Sequence, residues 1–311
     1  MSREPQSAWQ RWGWLVRWGG TAIGIAYIAH LIDPHEVGGA FSKISIGALL
    51  AACALVALNV VAGAARWRLL LRAYGASTLP TLGHATRLYF ISFFYNNYLP
   101  GAVAGDVMRG VVTRDVFGER GATAGLAVVL VERALGLFGV FLLLALGLAF
   151  GGGALDTGNL WLWSGIGIAG SFALVAALPF ARALAPLLPG RLRELALRVP
   201  GLSSWWAFVL AAILSVATQL FVTLAGWILL RAIDPAVGLG QALLIVPLAA
   251  ATTFLPITVG GAGAREAVYV TLGASLFHMG RSDALAASLA LWLAHLVNGL
   301  VGGMLQIQRR P

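Results

Sequence analysis

Long apolar runs, separated by short stretches that carry nearly all the polar and charged residues, dominate the pattern along this chain. Continuous apolar stretches cover roughly residues 14–32, 44–65, 121–150, 159–180, 204–230 and 284–307. A hydrocarbon core about 30 Å thick needs roughly 20 helical residues, so each stretch predicts one full membrane crossing. Two further apolar segments, 82–105 and 241–277, are interrupted by Pro and Gly and do not read as plain spans.

The arginines decide how those two segments run. Arg66, Arg68, Arg72 and Arg87 follow the second span, and Arg182, Arg191, Arg193 and Arg198 follow the fourth; the positive-inside rule assigns both stretches to the cytoplasm. The arginine-poor stretches 33–43 (with Asp33, Glu36 and Lys43) and 151–158 (with Asp156) are assigned outside. Arg109, Arg114 and Arg120 follow the segment 82–105, so both its flanks read as cytoplasmic, and a single crossing cannot satisfy both. The segment is expected to be re-entrant. The same arithmetic, with 231–240 outside and Arg309-Arg310 inside, makes 241–277 re-entrant from the outer side and leaves both termini cytoplasmic.

The fold class that emerges is an all-α polytopic membrane protein, a single membrane domain over 1–311 with about six full crossings and two Pro/Gly-broken hairpins. A repeat supports it. Leu99-Pro100 with Gly105 is matched 156 residues later by Leu255-Pro256 with Gly261, and each is followed closely by an acid and an arginine: Asp106 and Arg109, then Arg265 and Glu266. Three crossings lie between the copies, so halves of approximately 14–150 and 159–307 would be related by inverted topology, a transporter arrangement. The alternative is an eight-span bundle of proline-kinked helices, which also keeps the termini together.

Non-helical backbone at membrane depth is tolerated only in protein or against a wet cavity. That makes Pro100, Gly101, Gly105, Pro256, Gly260, Gly261 and Gly263 candidate substrate-site residues, with half-helices starting after the breaks and turning their positive ends toward an anion. Glu132 and Arg133 fall inside the span 121–150, where charge is costly and calls for partners. Adjacent residues on a helix point about 100° apart, so each must reach a different element. Asp106 or Glu266 are the expected partners of Arg133, and Arg109 or Arg265 those of Glu132. Asn97, in the run Tyr89 to Tyr98, is a further candidate for head-group contact, the alternative being an interfacial belt. His295 and Asn298 read as interhelical hydrogen-bonding residues, and Gly20, Gly24, Gly299 and Gly303 as close-packing positions.

Composition narrows the chemistry. The chain is 59% hydrophobic and 11% charged, with net charge +9, outside the usage of soluble domains. Its excess of arginine fits orientation and anionic lipid rather than nucleic acid. The single cysteine, Cys53, excludes an intramolecular disulfide or cysteine metal cluster. The sole lysine, Lys43, is followed by Ile44, so there is no P-loop, and no metal ligand set or nucleophile elbow is present. No cofactor is expected.

Arg66-Trp67-Arg68, Leu99-Pro100-Gly101 with Gly105-Asp106 and Arg109, Glu132-Arg133, and Pro256 with Gly260-Gly261 and Arg265-Glu266 together resemble the lysylphosphatidylglycerol synthase transmembrane, flippase-like family, over roughly residues 10–307. The resemblance implies a bacterial inner-membrane protein that moves anionic, polyprenyl or hopanoid-type lipids or lipid-linked head groups between leaflets. Without the soluble aminoacyl-transferase domain of bifunctional relatives, the chain is not expected to make lysyl lipid. The usual second motif, Pro-Gly-Gly-x-Gly, is here altered by Ile257-Thr258-Val259 after Pro256. Two other readings stay open: a membrane-embedded polyprenyl-phosphate-dependent transferase with Asp33 or Glu36 as base, and a non-catalytic partner of a lipid-modifying enzyme.

Overall fold

The computed structural model describes residues 8–31, 34–99, 103–151, 160–254 and 261–308, and among them every regular element is helical. The chain runs through α1 (Ala8–Leu31), α2 (Pro34–Ser42), α3 (Ile46–Ala73), α4 (Leu82–Tyr98), α5 (Ala104–Val112), α6 (Gly121–Gly151), α7 (Leu160–Ala177), α8 (Ala181–Leu184), α9 (Gly190–Arg198), α10 (Trp205–Ile233), α11 (Leu239–Ala251), α12 (Ala264–Phe277) and α13 (Arg281–Ile307). Five stretches are helical, long and apolar enough to cross a bilayer: Ile46–Ala73, Gly121–Phe150, Ser164–Leu187, Trp205–Ile233 and Arg281–Ile307. The expected first span falls on α1, a 24-residue helix whose apolar part is the shorter Thr21–His30.

One boundary differs from expectation. The apolar pattern ends the second span before Arg66, yet α3 continues to Ala73, and Arg66 is only 7% exposed within it. An internal arginine does not end a helix when its charge is matched inside the bundle. At its start, Ser45 accepts a hydrogen bond from the Ala48 amide, the N-cap that fixes where α3 begins.

Both interrupted segments are helical hairpins. In the first, α5 doubles back along α4: the Gly105 amide donates to Asn96 Oδ1 at 2.9 Å, and Arg109 Nε donates to Ser92 Oγ at 3.1 Å. Just beyond, the Ser77 amide and hydroxyl both donate to the Val116 carbonyl, at 2.9 and 3.0 Å. The chain therefore leaves the hairpin at the end where it entered. That end also holds the close of α3, where the Ser203 amide donates to the Ala73 carbonyl at 2.7 Å, and the close of α13, whose Leu305 carbonyl accepts from Arg87 at 3.0 Å. It is the arginine-rich end.

In the second hairpin, Gly261 lies against Thr252 and Thr253, Val246 and Tyr269 both pack on Gly226, and Phe277 packs with Leu244. Its outer ends meet the opposite end of the bundle. There Ala40, Ile233, Val237 and Met279 share one buried cluster. Lys43 pairs with Asp283 at 2.8 Å, and Ser282 donates to Glu36 at 2.7 Å.

Close backbone approach lets the hairpins seat. A Cβ on Gly302 of α13 would lie 1.9 Å from the Phe90 carbonyl oxygen of α4, and one on Gly24 of α1 would lie 2.8 Å from Gly263 Cα at the start of α12. Gly299 and Gly303 likewise meet the Tyr98 and Phe94 rings. Small residues at such crossings are what apolar surroundings demand, since close packing supplies the association energy there.

Candidate functional site

The two hairpins turn around a central cavity of about 680 Å³, walled by α1, α3, α4, α5, α6, α10, α11, α12 and α13. Gln219 and His295, which line it, fall near the middle of α10 and α13. An ion-pair network occupies one wall. Glu132 accepts from Arg66 at 2.7 Å on one carboxylate oxygen and from Arg109 at 2.8 Å on the other. Tyr89 donates to the first of these oxygens at 2.6 Å. Asp106 accepts from Arg109 at 2.7 Å and from Arg133 Nε at 2.7 Å. Arg66 also donates to Ser215 at 2.9 Å and Thr218 at 3.2 Å, and the Arg109 guanidinium lies 4.2 Å from the Tyr89 ring centre. Glu132 and Arg133, neighbours on α6, thus reach different partners as helical geometry requires.

The energetics of such a network are lopsided. Assembling buried ion pairs gains little over an apolar core, but removing one member strands the others at a cost of about 3–5 kcal/mol. The network ties α3, α4, α5 and α6 to one another. Arg133 stands apart in one respect: its side chain is 30% exposed, against 3% for Arg109 and 8% for Arg66. It is the arginine of this wall that the cavity presents.

Across the chamber, Arg265 pairs with its neighbour Glu266 and lies 5.9 Å from the Trp292 ring centre. Glu266 also accepts from the Gly263 amide at 2.7 Å, a capping box at the start of α12. Gly261 and Gly263 hold φ of 81° and 83°, a backbone conformation that favours glycine. Asp106 occupies the equivalent third position of α5. Both half-helix starts therefore already have a carboxylate of their own. The positive face of the chamber comes from arginine rather than from bare helix ends.

The sequence-derived candidates divide as follows. Asp106, Arg109, Glu132, Arg133 and Arg265 line the cavity. Glu266 stands just behind Arg265, Gly105 is the contact of α5 with α4, and Gly261 and Gly263 shape the entry to α12. Asn97 lines the cavity, although its amide donates to the Phe93 carbonyl at 2.8 Å. Pro100, Gly101, Pro256 and Gly260 lie outside the described residues. Of the alternative partners for Arg133 and Glu132, the structure selects Asp106 and Arg109. Tyr89, the first residue of the run expected to face a head group, lines the site, and Arg66, Asn59, Gln219 and Trp292 line it without having been singled out as site residues. For Arg66 the signal was present: Leu69-Leu70-Leu71 carries the apolar pattern past it. Of the two residues expected to bond between helices, Asn298 does so, donating to the Cys53 carbonyl at 3.0 Å, whereas His295 Nδ1 lies 2.8 Å from the Leu291 carbonyl of its own helix and meets α4 only by stacking on Phe93. Among the described residues, no three His, Cys, Asp or Glu side chains gather as a metal-binding group.

A polytopic helical membrane protein with a charged chamber between two broken hairpins is the class these features define. The chain belongs to the family of the lysylphosphatidylglycerol synthase TM region, whose model matches residues 15–303. Among curated proteins no match was found.

Proposed function

We propose that this protein carries lipids, or lipid-linked head groups, between the leaflets of a bacterial inner membrane. The observation that carries the reading is a cavity of about 680 Å³ lined by residues of both hairpins and by the Arg66, Glu132, Arg109, Asp106 and Arg133 network. Head groups occupy it while acyl chains stay in the bilayer. The hairpins that return to opposite ends of the bundle support an inverted pair of halves, approximately 14–150 and 159–307, each contributing one broken segment to a shared route. Arginine enrichment at the end holding Arg68, Arg72, Arg87 and Arg198 supports a cytoplasmic assignment for that end and for both termini.

Transport is tested with protein reconstituted into vesicles, by the rate at which labelled anionic phospholipid and polyprenyl phosphate exchange between leaflets. Arg133→Ala and Arg265→Ala are each expected to slow exchange at least tenfold. Unchanged rates in both would remove the chamber as the route. In cells, a scaffold that merely assists an enzyme would retain its deletion-rescuing activity in these variants, whereas a translocator would lose it. On the transferase reading Glu36, which accepts from Ser282 at 2.7 Å, would be the base; Asp33 lies outside the described residues.

Sidedness has its own measurement. On a Cys53→Ala background, Asp115→Cys and Ser77→Cys, at exposed positions, should react with an impermeant maleimide only from the cytoplasm, and Lys43→Cys only from outside. Labelling of position 115 from outside would dismantle the inverted arrangement.

A further inference from the structure

The connection between α7 and α10 carries a surface that the central chamber does not use. The apolar span Ser164–Leu187 ends there, and α9 starts shortly after it. Leu192, Ala196 and Val199 follow one another at helical spacing and so share one face. Ala196 and Val199 are buried, at 6% and 7% exposure, and Val199 belongs to the core cluster that holds Phe208 and Val128. Leu192, however, is 55% exposed, and Leu187 is 81% exposed. The apolar stripe begins against the protein and runs off its edge.

The charges of α9 are arranged about that stripe. Helical geometry sets Arg193 about 100° to one side of Leu192 and Arg198 about 120° to the other, with Glu194 nearly opposite. All three are exposed, and neither arginine has a hydrogen bond or ion pair among the described residues. Leu197, also exposed, lies off the stripe. Depth is marked independently. Trp205 and Trp206 open α10 at 55% and 71% exposure, and the Trp205 ring lies 5.7 Å from that of Phe180. Exposed tryptophans at the end of a span collect at head-group level. Arg182 donates to the Val199 carbonyl at 2.8 Å and so ties the end of α9 back to α8.

An uncovered leucine on one side, arginines flanking it and a carboxylate turned away fit a membrane surface better than a soluble acidic partner. Long arginine side chains reach lipid phosphates while their stems cover the apolar edge. We propose that α9 is an interfacial helix that seats Leu192 and Leu187 among acyl chains at the arginine-rich end of the bundle and holds anionic phospholipid with Arg193 and Arg198. This surface is separate from the chamber, and its role does not depend on what the chamber carries.

The test uses the full chain on a Cys53→Ala background, with Leu192→Cys carrying a fluorophore, in phosphatidylcholine vesicles. These are titrated with either phosphatidylglycerol or phosphatidylcholine bearing brominated acyl chains. Brominated phosphatidylglycerol is expected to quench the label at an at least tenfold lower mole fraction than brominated phosphatidylcholine. Arg193→Gln and Arg198→Gln should each reduce that preference about fivefold, the worth of one cation at an anionic surface. Salt at about 1 M, where the Debye length is roughly 3 Å, should remove most of it. A label at Glu194→Cys should stay open to acrylamide and be little quenched by either lipid. Equal quenching by the two lipids, or a preference unchanged in both glutamine variants, overturns the anionic-lipid assignment. Absence of quenching at position 192, with acrylamide access as free as at 194, overturns the membrane contact itself and leaves the face to a soluble protein or a second copy of the chain.

Discussion

Glu132→Gln is expected to destabilise the purified protein by about 3–5 kcal/mol, the largest effect of any single change of charge in this molecule. The glutamine fills the same space but cannot neutralise Arg66 and Arg109, which meet Glu132 at 2.7 and 2.8 Å while themselves 8% and 3% exposed. Thermal unfolding in detergent should show a markedly lower Tm and a smaller monodisperse fraction. Adding Arg66→Met should recover much of the loss, because Arg109 keeps Asp106 at 2.7 Å and the stranded guanidinium is gone. A single variant that melts with the parent would mean that the carboxylate does not hold the four helices together.

The second large effect is steric. A Cβ on Gly105 would sit 2.0 Å from the Ser92 carbonyl oxygen and 2.6 Å from Ser92 Cα. Those atoms are backbone and cannot swing aside, so Gly105→Ala must force α5 off α4. Overpacking of this kind costs about 1–3 kcal/mol and sometimes more. It also displaces Asp106, the anchor of Arg133, and lipid exchange should fall about as far as in Arg133→Ala. Gly83→Ala, in the same hairpin but with open space around it, should leave stability within about 0.5 kcal/mol of the parent. If the two alanine variants behave alike, the close approach of α4 and α5 is not what positions the network.

Much of the architecture was legible because apolar length and arginine placement are properties of contiguous sequence. The expected stretches 121–150, 204–230 and 284–307 match α6, α10 and α13 to within a few residues, and the breaks after Leu99 and before Arg265 separate real half-helices. The charge pairs were legible only as alternatives. Whether Arg133 turns to Asp106 or to Glu266 depends on which hairpin tip α6 passes, and no local pattern records that. Arg66 illustrates the converse difficulty. Read along the chain, an arginine beside Trp67 and Arg68 marks a membrane boundary; only the contact with Glu132, 66 residues later, makes it an interior residue.

The ion pairs are shared unevenly between the two hairpins, with a mechanical consequence. Arg109 to Glu132 and Arg133 to Asp106 bolt α5 onto α6, so any swing of the first hairpin must break two bridges in surroundings of low polarity. The Arg265–Glu266 pair lies wholly within α12 and travels with it, and its contacts to other described elements are weaker: the Trp292 ring at 5.9 Å and Ser288 at 3.5 Å. On the translocation proposed above, these contacts make the first hairpin the stator and the second the moving arm.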